Sequence, residues 1–338
     1  MKRIRIFCLV LIIAMTFIIS LNVVSADNNV WELKLGTDMA DNLESQSQGL
    51  RKFVELAEEK SKGKLKIDIY WSESLGIEKT QLENVINGIQ DMYFESYSPY
   101  CSYVSDFAVH TTPYLFKTEE EYQKFLLSPI EKEMEEKLLQ KTGIRFINEN
   151  KNWFRIGRTV ASIKPLLTLE DIKGIKMRQA PNQGSAGLWS LLGAEIIYIT
   201  WSEAYLALQT GMANAITCGA TNLHSDKFAE HVKYVAESHE YYQQLIVAMN
   251  DKKYQSLPEE LKIALNEASN EAGDFFSQLV KKDNLNIKKI LEKDYNVKYY
   301  EFPYEEVAKI AEEGVISELE KKGLITTGLI ERILNYLK

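Results

Sequence analysis

Hydrophobic and polar positions alternate from Trp31 to Gly36, then recur at helical spacing from Gln46 to Lys60 through Leu50, Phe53, Val54 and Ala57. Alternation returns from Lys64 to Trp71 through Leu65, Ile67 and Ile69. Strand, helix and strand at this spacing predict a parallel crossover unit. A second helix is expected from Ile77 to Asn87, ending at Gly88, before a short strand from Asp91 to Glu95. The rhythm continues past Arg145 without a repeat, a low-complexity tract or a long linker. Three threonines each stand three residues before an acid, so that hydroxyl and carboxylate can satisfy the free amides of a first helical turn. They are Thr118 with Glu121, Thr168 with Asp171, and Thr200 with Glu203. The first opens Glu119 to Leu127, the second a single turn before Gly174, and the third Trp201 to Thr210. Pro258 suits the first position of a helix that runs past Lys282, and two amphipathic helices separated at Gly323 are expected from Tyr304 onward. The pattern predicts an α/β class with sheets covered on both faces, and ligands in such folds bind at the carboxyl ends of strands.

The first residues alter the picture of where the chain works. Lys2, Arg3 and Arg5 precede an uncharged apolar stretch from Ile6 to Val24, and Val24-Ser25-Ala26 places small residues before Asp27. This is the layout of a signal peptide cleaved after Ala26, and residues 1–26 are read so. Its loss takes the net charge from -8 to about -11, an acidic balance that argues against nucleic acid as a partner. Only Cys101 and Cys218 then remain, without a C-x-x-C pair or a Cys/His cluster, and are read as two free buried thiols. His110, His224, His231 and His239 fit no metal-ligand spacing, so no metal or other cofactor is expected. No nucleophile elbow, P-loop or glycine-rich dinucleotide turn occurs, and catalysis has no support in the sequence.

Several segments are more specific. They are Phe53–Gly63, Ser74-Leu75-Gly76, Gly88–Met92, Pro113-Tyr114-Leu115-Phe116, Leu169–Arg178 (LEDIKGIKMR) and Thr200–Gly211 (TWSEAYLALQTG). In this order they resemble the solute-binding subunits of tripartite ATP-independent periplasmic (TRAP) transporters, which include C4-dicarboxylate and sialic acid receptors. The resemblance implies a two-lobed periplasmic-binding-protein-like α/β fold with a ligand cleft between the lobes. Strands near Asn152–Arg158 and Tyr242–Met249 would cross between lobes, and the helix after Pro258 would span both. One lobe would take 27–155 with about 244–283, the other 156–243 with about 284–338. The implied function is an extracytoplasmic receptor, periplasmic and monomeric, that binds a small carboxylate and serves the membrane subunits of a TRAP transporter. Docking on a membrane sensor kinase is the alternative with the same fold, and a secreted enzyme acting on an organic acid is the second.

The resemblance places Arg178 at the position that pairs with the substrate carboxylate, where a planar guanidinium offers two parallel N–H bonds. Arg158 corresponds to a second cleft arginine, chosen over Arg155, which is expected to be solvated. Glu95 matches a cleft glutamate, and Asp38 and Glu78 are rim candidates on the first lobe. Trp201 stands where Phe is common. After Gly211 an amide-rich run is replaced by Asn214-Ala215-Ile216-Thr217-Cys218. Trp201, Thr217 and Cys218 are therefore expected to wall a less polar pocket, suited to an acid with an apolar or aromatic body. Trp153, Phe154 and Tyr241 are read as packing residues, with aromatic walls of the pocket as the alternative.

Overall fold

The computed structural model describes residues 29–338 apart from 43, 156 and 181–182. The signal-peptide reading lies outside these residues. The elements in chain order are β1 (Trp31–Thr37), α1 (Ser45–Lys60), β2 (Leu65–Tyr70), α2 (Glu78–Asn87), β3 (Met92–Ser96), α3 (Glu119–Leu126), α4 (Pro129–Thr142), β4 (Ile144–Phe146) and β5 (Phe154–Arg155). There follow β6 (Thr159–Ser162), α5 (Leu169–Ile172), β7 (Lys176–Gln179), α6 (Gln183–Leu191), β8 (Glu195–Tyr198), α7 (Ala204–Gln209), β9 (Ala215–Cys218), α8 (Ala220–Ser225) and β10 (Tyr234–Glu237). The chain ends with β11 (Gln243–Asn250), α9 (Asp251–Ser256), α10 (Glu259–Tyr295), β12 (Lys298–Tyr299), α11 (Tyr304–Ile310), α12 (Ser317–Lys321) and α13 (Leu329–Leu337).

Two sheets form. The first has the order β2-β1-β3-β11-β4, with β5 added against β11, and the second β12-β10-β6-β9-β7-β8. The predicted crossover is present, β1 and β2 running parallel with Trp31 beside Leu65 and Gly36 beside Tyr70. Helix α2 stops where Gly88 turns left-handed at φ 71°, a conformation glycine adopts without the steric cost of a Cβ.

Two of the three threonine signals cap as expected. Thr118 accepts from the Glu121 amide at 3.1 Å, and Thr168 with Asp171 forms a reciprocal capping box. The third does not: the Thr200 hydroxyl donates to the Glu203 carboxylate at 2.7 Å, and α7 starts only at Ala204. Pro258 stands just before α10 rather than inside it.

Helix α10 has 37 residues, about 55 Å at the usual rise, and serves two cores. Leu261, Leu265, Ala272 and Phe276 pack with Leu50, Phe53 and Trp153 beneath the first sheet. Further along, Ile287 and Leu291 join Leu223, Phe228 and Val235 beneath the second. A third core, from Tyr97 and Phe107 through Phe116 to Val160 and Trp189, runs continuously behind both sheets. The chain passes from the first sheet to the second between β5 and β6 and returns between β10 and β11, whose first residues pair antiparallel with β5.

That passage is stitched to α10. Asn152 donates to the Asn270 carbonyl at 2.7 Å and to Asp274 at 2.8 Å, Trp153 donates to the Ser269 carbonyl at 2.9 Å, and the Phe154 amide donates to Ser277 at 2.8 Å. Gly273 lies beneath Asn152 and Trp153, and a Cβ there would collide with both side chains. Gly273→Ala is therefore expected to lower stability by about 1–3 kcal/mol, the cost of overpacking a filled site. Urea denaturation measures it, and an unchanged midpoint would show that the helix and the crossing segment separate freely.

Candidate ligand-binding site

A cavity of 270 Å³ opens between the two sheets, the volume of roughly nine liquid waters. Parallel strands deliver their carboxyl ends to it, as expected for α/β sheets. Asp38 follows β1, Glu95 and Ser96 end β3, Arg178 and Gln179 end β7, and Thr200 and Trp201 lie just beyond β8. Arg155, Arg158, Tyr241 and Gln243 enter from the crossing strands, and Glu78 from the first turn of α2.

Each arginine is anchored differently. Arg178, 5 % exposed, donates from Nε to the Ile199 carbonyl at 3.0 Å, and its guanidinium carbon lies 5.1 Å from the centre of the Trp201 ring, within cation–π range. Its two terminal nitrogens take no partner among the described residues, so the fork that matches a carboxylate remains available. Burial, and after it the neighbouring Arg158, lower its pKa to about 10, which leaves it charged at neutral pH.

Arg158 is fixed more tightly. It donates to the carbonyl and, at 3.2 Å, to the hydroxyl of Thr217, and to Gln243 Oε1 at 3.4 Å. Its Nε is 3.9 Å from the fully buried Glu240, and its guanidinium carbon lies 5.1 Å from the Tyr241 ring centre. Glu240 in turn accepts from Trp189 Nε1 at 2.9 Å and Ser185 at 3.3 Å.

Arg155 is not solvated as the sequence reading expected. It lines the cavity, donating to Gln46 and, at 3.2 Å, to the same Gln243 oxygen that Arg158 uses. Tyr241 takes the alternative reading, an aromatic wall, since it lines the cavity with its ring against Arg158. Trp153 and Phe154 are buried in the cores. Gln179 aims a buried Nε2 with no partner among the described residues at the same space.

The opposite wall is acidic. Asp38, Glu78 and Glu95 all face the cavity. Glu95 is 6 % exposed, and its Oε2 and Asp38 Oδ1 take no partner among the described residues. Asp38 lies within hydrogen-bonding reach of Glu95; burial first, then the Glu95 charge, raise its pKa well above the carboxylate range. Glu78 is pushed up to about 7 by burial and then by Glu95.

Cys218 stands apart from the other sequence-predicted residues. It is fully buried in the core with Ala161, Ile216, Leu223 and Val235 and does not line the cavity. Strand parity is the reason: on β9 the Thr217 side chain turns toward Arg158 and Cys218 points to the opposite face. Burial pushes the Cys218 thiol up to about 12, so it is an inert core group.

The sequence profile of the bacterial extracellular solute-binding proteins, family 7, matches residues 37–317. The chain belongs to that family. A C4-dicarboxylate-binding periplasmic protein of Rhodobacter capsulatus is 28 % identical over 264 residues, 77 % of this chain and 78 % of that one. The 2,3-diketo-L-gulonate-binding periplasmic protein of Escherichia coli is 26 % identical over 244 residues, 72 % and 74 % of the two chains. Among solved structures, the sugar acid binding protein of Advenella mimigardefordensis in complex with galactonate superposes with a TM-score of 0.83 at 23 % identity, covering 91 % of this chain and 98 % of that one. The fold is that of the family 7 receptors of TRAP transporters, two α/β sheets with a long helix shared between them.

In a family 7 receptor the acidic wall has a consequence for stability. The Glu78 carboxyl ordinarily titrates near 4.5 and here near 7, so the folded state retains its proton longer than the unfolded chain does. Ionising it costs stability as pH rises from about 4.5 to 7, and the cost stays constant above that range. Glu78→Gln removes this cost. Relative to the parent, the ligand-free variant is expected to gain on the order of 1 kcal/mol between pH 5 and pH 8. Equal differences at the two pH values, by urea denaturation, would contradict the assignment.

Proposed function

We propose that this chain is the exported receptor that captures a small polar carboxylate and delivers it unchanged to the membrane subunits of a TRAP transporter. The observation that carries this reading is the Arg178 guanidinium, buried, charged and with its terminal nitrogens aimed at a cavity of ligand size. Arg158 supplies a second positive charge beside it, and the Gln179 amide a further donor. The relatives named for C4-dicarboxylate, 2,3-diketo-L-gulonate and galactonate are all named for carboxylates, which supports the same class of ligand here.

The body of the ligand is polar in this proposal. The apolar or aromatic body expected from Trp201, Thr217 and Cys218 loses two of its three supports, because Cys218 is in the core and Thr217 is committed to Arg158. What faces the arginines is three carboxyl groups. Export follows from the signal-peptide reading, with cleavage after Ala26 and a monomeric receptor in the periplasm as parts of the same proposal.

Arg178→Ala is expected to weaken binding of the natural ligand at least 100-fold, because it removes a charge-assisted bidentate contact and leaves the carboxylate in a dry site. Arg178→Lys should lose about tenfold, retaining charge but not the fork. Calorimetry on the folded variants measures both. An Arg178→Ala affinity equal to the parent's would refute the carboxylate clamp.

A further inference from the structure

Carboxyl groups outnumber guanidiniums around the cavity. Asp38, Glu78 and Glu95 line it and Glu240 lies buried just behind Arg158, against Arg155, Arg158 and Arg178. At the rim, Glu73 and Lys79 also line the cavity, and Lys79 lies 3.9 Å from Glu83. Four carboxyls thus meet three guanidiniums, and this crowding is tolerated because Asp38 and Glu78 hold their protons more tightly than usual.

The two signs are also segregated. The guanidiniums enter from β5, the turn before β6, and β7, whereas the three carboxyls that line the cavity enter from the end of β1, the first turn of α2, and β3. On the acidic side Glu95, more than nine-tenths buried, and Asp38 each hold a carboxyl oxygen that has no partner among the described residues. The three carboxyls form no metal-holding group among the described residues.

Resting on the carboxylate-receptor reading above, we propose that the ligand is a zwitterion, an acid that also carries an ammonium group. Its carboxylate lies on Arg178 and its ammonium is received by Asp38, Glu95 and Glu78. An ammonium brings three donors to three carboxyl groups and favours their ionised, accepting form. A ligand hydroxyl at the same place brings one donor and no charge. Burial and then the Glu95 charge hold the Asp38 and Glu78 carboxyls above their usual range, and a cation placed among them offsets both.

Matched probes test this: D-glucosaminate against D-gluconate, and L-glutamate against L-2-hydroxyglutarate, by calorimetry at pH 7.5 with the full mature chain. The amino member of at least one pair is expected to bind tenfold or more tightly than its hydroxy partner. Glu95→Gln should weaken that amino acid at least tenfold more than it weakens the hydroxy acid. Asp38→Asn is a second variant for the same comparison, with folding of both checked by circular dichroism. A hydroxy acid that binds as tightly as its amino partner, and still needs Arg178, overturns the zwitterion and leaves the carboxylate receptor standing. No binding by any of the four, or binding indifferent to Arg178→Ala, contradicts the receptor reading and the zwitterion with it.

Discussion

Two buried guanidiniums, Arg158 and Arg178, and the half-buried Arg155 crowd one small cavity, and the groups that hold them organise the site. Thr217 and Glu240 hold Arg158, Gln46 holds Arg155, and the single oxygen of Gln243 accepts from both arginines. Arg178 alone is held from one edge, by the Ile199 carbonyl, with the Trp201 ring against its face. Its terminal nitrogens are thereby left for a ligand. The residues that do the holding come from β9, β11, the loop before β11, the start of α1 and the segment after β8, so the site forms only when both sheets are in place.

What keeps the sheets in place is the path of the chain between them. The segment from Asn148 to Phe154 is bonded along its length to α10, and the same helix enters the cores beneath both sheets. Arg155 and Arg158 directly follow the stitched segment, so their position is set by contacts remote from the ligand. Rigid support of this kind lets a binding group act without reordering itself on each encounter.

Much of this was legible in the sequence where the signal is local. The crossover unit, the turn at Gly88 and two of the three threonine caps depend on residues within a turn of one another. The helix α4 carries an equally local signal, Ser128-Pro129 with Glu131, whose amide donates to Ser128 at 3.1 Å. Arg178, Arg158, Glu95, Trp201, Asp38 and Glu78 meet at one cavity. Arg155 did not announce itself, because its partner Gln243 lies 88 positions away and only strand pairing brings them together. Cys218 failed for a different reason. A motif aligns a position with a strand, but the side of the strand a residue faces depends on register, and a shift of one residue separates Thr217 at the site from Cys218 in the core. The acidic wall was visible only as scattered carboxylates in an acidic chain; its meaning comes from convergence.

The central claim is that a carboxylate is drawn into this cavity by Arg178. The most direct measurement is mass spectrometry of the small molecule released from protein purified under native conditions, without refolding, in parallel for the parent and Arg178→Ala. The account predicts a carboxylic acid carried by the parent and absent from the variant. A released ligand that lacks a carboxyl group, or the same ligand at equal occupancy in both proteins, would contradict it.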